Sequence, residues 1–371
     1  MAKIVITRRN IPLHVPDGIN VHIFALSDEL IALGHDVYII SDVFSDINLI
    51  KKFFAPNYLP HLITLTTKIF VSKYQILLIW LSKGIKILRK ISPHLIIVNG
   101  AVPLSKDLAT KSIFVSHDLE KRKIWRFDFL RVWYKRKTYL RASSIVATCS
   151  ELRDLLSEEL SVDKSKIKVI PTCFDVTRYY NYPFKERENA ILHVGTVFYK
   201  NPKLTVQAFG YLKDIINQLD LKLYITGKVS EEISSFVNGF DDCVKHRITF
   251  LGLVDENRFK KLLAQVKIVS IPSTYTTPVA SPTAVEALLS GTPIVASQGI
   301  SGDVIIDGVS GYQCVNLLPE EFSEKFRTLL MNEDLWKRMS TNALNISRDK
   351  FGAHSVAKKY LELWHAKPDN R

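Results

Sequence analysis

The stretch that decides the fold is Ser281-Pro-Thr-Ala-Val-Glu286-Ala-Leu-Leu-Ser-Gly291-Thr-Pro293-Ile-Val-Ala296. Apolar segments on both sides of it have the pattern of buried strands. Between them, Ser281 is a suitable N-cap and Pro282 a suitable first residue of a short helix. Gly291 favours a left-handed exit from that helix, and Pro293 prevents its continuation. The pattern predicts a right-handed β-α-β unit whose helix begins at the carboxyl edge of a parallel sheet, where phosphates bind readily.

Glu286 is unusual in this helix because its neighbours are small or apolar. One interpretation is a capping box with Thr283, in which the carboxylate accepts a hydrogen bond from a free backbone amide. The other is that Glu286 accepts hydrogen bonds from two ribose hydroxyls of a nucleotide donor. The diphosphate of that donor would then lie at the helix N-terminus, beside Ser281 and Thr283. The local sequence leaves both interpretations open.

The segment resembles the donor-site signature of the family-4 glycosyltransferases of GT-B fold, in which two glutamates are followed by Ala-x-x-x-Gly-x-Pro-Val-x-Ala. Glu286, Gly291 and Pro293 match its second half, whereas Pro278 stands where the first glutamate would be. The resemblance implies an α/β fold of two Rossmann-like domains with parallel sheets that face a central cleft. It also implies a retaining hexosyltransferase that moves a sugar from a nucleoside-diphosphate sugar to a hydroxyl acceptor.

The chain length supports two domains, because 371 residues are too many for one ordinary hydrophobic core. The content of 47% hydrophobic and 23% charged residues is typical of a soluble globular protein. The N-terminal apolar run is too short for a signal peptide, so we expect a cytoplasmic location. With the resemblance, the predicted parts are an acceptor-side domain at 1–176, a polar linker at 177–189, a nucleotide-sugar-binding domain at 190–351, and a helix at 352–371 that crosses back to the first domain.

Further donor-site residues follow from the resemblance. Gly18 lies in the loop before the first predicted helix, where the family has a glycine beside the donor phosphates; an ordinary turn glycine is the alternative. Lys200 matches a phosphate-binding lysine, while Thr196 replaces the expected arginine and Lys203 is a compensating cation. These cations would stabilise the leaving diphosphate. We expect no metal and no other cofactor, and the four scattered cysteines argue against a zinc site.

His117 and Asp118 directly follow a predicted strand at 112–116, which directs them toward the carboxyl edge of the sheet. Imidazole can donate or accept a proton near neutral pH. The pair resembles the His-Asp that the family places near the transferred sugar, so both are candidate catalytic residues. A histidine that caps the next helix or lies on the surface is the alternative.

The net charge of +13 is concentrated in the first half, where residues 1–180 hold 27 Lys and Arg against 16 Asp and Glu. Residues 121–141 alone hold nine basic residues, six aromatic residues and one acid. A basic amphipathic helix with tryptophans is typical of an interfacial membrane contact, and a helix with aromatic residues in the core is the alternative. The predicted membrane- or acceptor-contacting residues are Trp125, Arg131, Trp133, Lys135 and Lys137.

These features predict a peripheral enzyme on the inner face of the cell membrane that acts on a lipid-linked glycan or a glycolipid. Nucleic acid is not expected, because none of the usual reading modules is present. A nicotinamide-dependent dehydrogenase is disfavoured, because no Gly-x-Gly-x-x-Gly follows the strands at 3–7 and 190–194. A catalytically silent GT-B protein that binds a membrane or a partner is the alternative suggested by Thr196 and Pro278.

Overall fold

The computed structural model describes residues 1–366 except 10, 16, 55, 67–77, 101, 118–135, 275–280 and 300–302. The chain forms two compact units. The first comprises Met1–Asp175 and Phe351–Arg371, and the second comprises Val176–Lys350. Among the described residues, no helix is both long enough and apolar enough to cross a bilayer.

The first unit is built on a parallel sheet of seven strands in the order β3-β2-β1-β4-β5-β6-β7. Its strands are β1 Lys3–Arg8, β2 Asp36–Ser41, β3 His61–Thr64, β4 Leu95–Asn99, β5 Ser112–Ser116, β6 Ser144–Ala147 and β7 Ile167–Val169. Its helices are α1 Gly18–Ala32, α2 Ile47–Phe54, α3 Ile85–Ile91, α4 Lys106–Ala109 and α5 Ser150–Leu160, with a π-helical turn at Trp80–Gly84 and a 3₁₀ turn at Lys164–Lys166. The basic segment 121–141 is described from residue 136 onward and is helical at 136–139.

The second unit is built on a parallel sheet of six strands in the order β10-β9-β8-β11-β12-β13. Its strands are β8 Glu188–Val194, β9 Lys222–Thr226, β10 Ile248–Gly252, β11 Val266–Ile271, β12 Ile294–Ser297 and β13 Gly311–Cys314. Its helices are α6 Pro202–Gly210, α7 Lys213–Leu219, α8 Glu231–Asn238, α9 Asp242–Lys245, α10 Glu256–Gln265, α11 Pro282–Leu289, α12 Pro319–Met331 and α13 Glu333–Phe351. Short 3₁₀ turns lie at Val176–Arg178, Phe184–Glu186 and Phe198–Lys200.

The last helix, α14 at Ala353–His365, packs on α1 within the first unit. It lies on the face of the sheet toward which Ile4 and Ile6 of β1 point, and it contributes Tyr360 to that core. Val5, between them in the strand, lies in the core on the opposite face. The alternation shows that both faces of this sheet are covered, as parallel sheets require.

In each sheet the strand order reverses at one place, between β1 and β4 in the first unit and between β8 and β11 in the second. Open α/β sheets bind ligands at such switch points, outside the carboxyl ends of the strands. The predicted fold class of two parallel-sheet α/β domains is confirmed.

The segment predicted as a linker at 177–189 is packed into the second unit instead. It contains the turn Phe184–Glu186 and the start of β8. Arg187 is only 5% exposed and donates hydrogen bonds to several backbone carbonyls. The polar composition that predicted a linker therefore includes an arginine that forms hydrogen bonds inside this unit.

Candidate functional site

Helix α11 carries the candidate donor site of the second unit. Ser281 is its N-cap and Pro282 its first residue, and the Ser281 side chain forms no capping hydrogen bond. The N–H groups of the first turn, including that of Thr283, have no acceptor within the helix and can bind an anion. At the other end, Gly291 has φ of +64°, and a Cβ there would lie 2.8 Å from Asn181 Oδ1. The helix thus begins and ends as its sequence predicts.

The Glu286 carboxylate is held by side chains of the second unit. The Tyr179 hydroxyl donates a hydrogen bond to Glu286 Oε1 at 3.1 Å. Lys260 Nζ lies 5.0 Å from the centre of the Tyr179 ring and 2.5 Å from a carboxylate oxygen of Glu256. The capping box with Thr283 is not formed, because Ser281 is the N-cap and the described partner of Glu286 is a phenol rather than a backbone amide.

Burial changes the protonation of Glu286. Part of the side-chain surface is accessible, but the surrounding protein is dense enough that desolvation raises its pKa to about 7. The charge of Lys260 and the hydrogen bond from Tyr179 act in the opposite direction and lower that pKa. A carboxylate that is this poorly solvated can accept hydroxyl groups of a ligand without first losing a full hydration shell.

The loop after β8 carries the candidate phosphate-binding lysine. Its Tyr199 carbonyl accepts a hydrogen bond from the Thr274 N–H at 2.8 Å, which ties the loop to the end of β11. Because β8 and β11 are parallel neighbours, Lys200 and α11 follow strands that end at the same edge of the sheet. Within the described residues, the Lys200 ammonium has no acidic partner, and burial lowers its pKa. Lys200 is thus a cation that an incoming anion can neutralise.

Two other candidate residues near this loop, Lys203 and Thr196, already have partners within the second unit. Lys203 Nζ lies 2.5 Å from a carboxylate oxygen of Glu232, so its charge is already paired. The Thr196 hydroxyl donates a hydrogen bond to the Lys228 carbonyl at 2.5 Å and links the loops after β8 and β9. The structure therefore offers Lys200 more readily than Lys203 as the cation for a diphosphate.

A buried hydrogen-bond network under this loop was not predicted from the sequence. Its centre is His193, the penultimate residue of β8, which is 1% exposed. Its Nε2 lies 2.9 Å from the Gly195 carbonyl oxygen and its Nδ1 lies 2.8 Å from the Thr205 hydroxyl, which contacts Ser270 Oγ at 2.8 Å. Burial lowers the pKa of His193 to about 4, so the ring is neutral at pH 7. A histidine inside the apolar run 190–194 was the signal available in the sequence.

In the first unit, Gly18 is the first residue of α1, directly after its N-cap Asp17. The Asp17 carboxylate accepts hydrogen bonds from the Asn20 backbone N–H and from Arg8 Nη2, each at 2.7 Å. Arg8 ends β1 and is 4% exposed. Gly18 therefore stands at a helix N-terminus beside the switch point between β1 and β4, and its contact with donor phosphates stays a prediction.

His117 follows β5 at the same edge and is 9% exposed. Its Nε2 lies 2.6 Å from Asn99 Oδ1, and its ring packs edge-on against His22, with ring centres 5.2 Å apart. Burial, with the nearby charges of His22 and Arg8, holds the pKa of His117 well below 6.5. His117 is therefore a neutral imidazole at pH 7. Asp118, the other candidate catalytic residue, lies outside the described residues.

The basic segment is described only from residue 136 onward. Trp125, Arg131, Trp133 and Lys135 lie outside the described residues. In the described part, Tyr139 is buried against Phe114, whereas Lys137 and its basic neighbours are exposed around Leu140. An aromatic residue thus faces the core here while the cations face solvent. In the described ranges, no group of three or more His, Cys, Asp or Glu could hold a metal ion.

Comparison with known protein families identifies the class. The family described as Glycosyltransferase Family 4 matches residues 16–178, and the family described as Glycosyl transferases group 1 matches residues 181–345. Together they span most of both units. The chain belongs to the family-4 glycosyltransferases of GT-B fold, as the motif around Glu286 indicated.

Individual relatives are distant. An uncharacterized glycosyltransferase of Methanocaldococcus jannaschii is 24% identical over 242 residues, which cover 59% of each chain. The chain spans about three fifths of the length of the curated relatives it matches, or less.

Solved structures share the fold over the whole chain. A glycosyltransferase from Rickettsia africae ESF-5 has a TM-score of 0.75 at 18% identity and covers 100% of this chain and 99% of its own. Anabaena HepE, in complex with UDP and glucose, has a TM-score of 0.68 at 16% identity and covers 99% of this chain and 100% of its own. At these identities the likeness shows the fold.

Proposed function

We propose that this protein transfers a sugar from a nucleoside-diphosphate sugar to a hydroxyl group of an acceptor. The observation that carries the proposal is the edge of the second sheet. There, Glu286 on α11 and Lys200, which has no acidic partner in the described part of the chain, follow neighbouring strands. A carboxylate suits ribose hydroxyls, while a lysine and a helix N-terminus suit a diphosphate. The Anabaena structure with UDP and glucose, which has the same fold, supports this class of donor.

The proposed chemistry needs charge stabilisation more than a nucleophile. The bond between the anomeric carbon and a diphosphate oxygen breaks, a bond from that carbon to the acceptor oxygen forms, and the proton of the acceptor hydroxyl passes to the departing diphosphate. Negative charge grows on the departing diphosphate, where Lys200 and the first-turn N–H groups of α11 can stabilise it. We infer that no metal or cofactor is needed for this step, and that a hexose is transferred with retention, as the family resemblance implies.

A ligand screen followed by an activity assay tests the proposal. At a concentration 100 times its Kd, a nucleoside diphosphate should stabilise the fold by about 2.7 kcal/mol, which a thermal-shift assay detects readily. The sugar nucleotides of the best base are then incubated with the protein, and release of the diphosphate is measured with and without EDTA. Binding and EDTA-resistant release are expected. The proposal is wrong if no nucleoside diphosphate shifts the melting temperature.

For the acceptor, we propose a lipid-linked glycan or a glycolipid at an anionic membrane surface, on the inner face of the cell membrane. The support is the exposed cations Arg136, Lys137 and Arg141 around Leu140, in a segment whose sequence is rich in basic and aromatic residues. Each Lys or Arg near an anionic surface contributes about 1 kcal/mol. A soluble sugar acceptor would not need this field.

Co-sedimentation with anionic vesicles at low salt tests the membrane proposal. Reversal of Arg136, Lys137 and Arg141 to Glu should abolish binding, since all three are exposed. The matched control reverses three exposed cations of the second unit with the same change in charge, Lys185, Lys261 and Arg338. Failure of the wild-type protein to co-sediment, or equal loss in both triple variants, refutes a membrane site at this segment and favours a soluble acceptor.

A catalytically silent GT-B protein is the second candidate. It is favoured by Thr196, which is bonded to the Lys228 carbonyl where the family has an arginine. Pro278, the other departure from the family motif, lies outside the described residues. A protein that binds a nucleoside diphosphate but neither hydrolyses nor transfers the matching sugar would be this silent form.

A further inference from the structure

The hydrogen bond between Asn99 and His117 determines which nitrogen of the imidazole carries the proton. Asn99 ends β4 and is 1% exposed, beside the switch point of the first sheet. Its Nδ2 donates to the Thr7 carbonyl at 3.1 Å. The amide cannot be turned around, because its oxygen would then face the carbonyl oxygen of Thr7. Asn99 Oδ1 is therefore the atom that faces His117.

This orientation assigns the proton of the imidazole. Asn99 Oδ1 is an acceptor, so His117 Nε2, at 2.6 Å, must be the donor. In a neutral ring the other nitrogen, Nδ1, then carries a lone pair. Among the described residues, no group donates to that nitrogen. His117 thus presents an acceptor at the carboxyl edge of the sheet.

We propose that Asn99 is a positioning residue that holds His117 with Nε2 as the donor, so that Nδ1 accepts a hydrogen bond from a hydroxyl of the bound sugar. This inference rests on the proposed function, since it assumes a sugar beside His117. A hydroxyl is the matching ligand group because it can donate to the lone pair, whereas another acceptor would be repelled. Asn99 itself touches no substrate in this scheme.

The neighbours of His117 agree with this role. His22 of α1 has its own proton fixed, because its Nδ1 accepts the Cys173 N–H at 3.1 Å. Arg8, at the end of β1, is the other titratable group of the described chain that acts on His117. Both disfavour an imidazolium at position 117. The ring is thereby kept as an acceptor rather than an acid.

Nuclear magnetic resonance of the full chain labelled with ¹⁵N-histidine tests the assignment. At pH 8, long-range proton–nitrogen correlations of the wild type should show His117 protonated on Nε2, with that proton exchanging slowly because it is buried and bonded. The signal is identified by its absence in His117→Gln. The His22 resonances serve as an internal reference, since Cys173 sets that ring. A proton on Nδ1 of His117 overturns the proposal.

The variants separate positioning from structure. Asn99→Leu should lose the slowly exchanging proton and lower kcat about tenfold, with little change in the KM of the donor, since one buried hydrogen bond is removed. Asn99→Asp keeps an acceptor for His117 but sets an oxygen against the Thr7 carbonyl, so the Nε2 proton should return while kcat recovers only in part. Its negative charge should also move the acidic limit of the kcat–pH profile to higher pH. Asn189→Leu, which removes a hydrogen-bonding Asn of the second unit, is the control and should leave the His117 signals unchanged.

Each outcome decides the proposal. A folded Asn99→Leu with the wild-type kcat and the slow Nε2 proton refutes it. If Asn99→Leu does not fold, Asn99→Asp decides, and an unshifted pH profile with a lost Nε2 proton refutes it. If the wild type shows the expected protonation but His117→Gln turns over donor normally, the assigned role of His117 in transfer fails while the orientation by Asn99 stands.

Discussion

Replacement of Glu286 by Gln gives the sharpest test of the donor site, because burial raises the pKa of this carboxyl from 4.5 to about 7. Between these values the unfolded chain loses the proton of Glu286 while the folded protein keeps it. Folding stability therefore falls as the pH rises from 4.5 to 7, and the whole cost is present above 7. At about 1.4 kcal/mol for each pH unit between 4.5 and 7, this loss of folding free energy is roughly 3.5 kcal/mol at most.

Gln removes this cost and keeps an amide oxygen that can accept from the Tyr179 hydroxyl. Glu286→Gln should therefore be more stable than the wild type at pH 8, by about 1–3 kcal/mol, and the difference should vanish toward pH 4.5. Urea unfolding followed by circular dichroism at both pH values measures it. Glu333→Gln is the matched control. There the pKa is lowered, because Glu333 pairs with Lys337, so removal of the charge should not stabilise the fold at pH 8.

Whereas folding stability falls as the pH rises, the affinity for nucleotide should rise with pH. Ribose hydroxyls donate to the carboxylate, so binding favours its ionised form. The wild-type affinity should fall about tenfold per pH unit below pH 7, whereas Glu286→Gln should bind more weakly and lose this dependence. Titration calorimetry with a nucleoside diphosphate sugar from pH 5 to 8 measures both. If the variant were less stable at pH 8 yet bound nucleotide like the wild type, Glu286 would be a structural residue and the donor-site reasoning would fail.

Two further predictions concern its neighbours. Lys200→Ala should weaken the binding of a nucleoside diphosphate by about 1.5–3 kcal/mol but leave the nucleoside unaffected, and Lys203→Ala should have little effect, because Glu232 already pairs with Lys203. Calorimetry with both ligands checks this, and equal losses for diphosphate and nucleoside would contradict it. Tyr179→Phe removes a hydrogen bond that lowers the pKa of Glu286, so the pH dependence of nucleotide affinity should move to higher pH; an unchanged profile would show that this bond is absent in solution.

The sequence predicts features whose causes are local. The limits of α11 follow from Ser281, Pro282 and Gly291, and these residues act within a few positions of themselves. The strand-end positions of His117 and Lys200 follow equally from short apolar runs. A family motif is also a short local pattern, so it can suggest a function for such positions.

Contacts between distant positions were not predictable in this way. Tyr179 meets Glu286 only because the chain before β8 packs beside α11, although its polar composition predicts a linker. The same holds for Asn99 and His117, whose pairing requires that β4 and β5 be neighbours in the sheet. A sequence pattern identifies a strand end without stating which strand end lies beside it.

Arg187 is a further contact between distant positions, and it binds the helix that carries Glu286. Within the described residues no carboxylate faces its guanidinium, and burial lowers its pKa to about 9. The charge is tolerated because Nη1 donates to the Val266 carbonyl at 3.0 Å and Nη2 donates to the Ser290 carbonyl at 2.7 Å, at the C-terminus of α11 and 103 positions away in the chain. Carbonyl groups at a helix C-terminus carry partial negative charge and take the place of an acid. The helix that carries Glu286 is thus bound at its C-terminus by a residue from the segment predicted as a linker. The candidate donor carboxylate of Glu286 therefore lies on a helix whose C-terminal carbonyl is bound by an arginine that no motif marks.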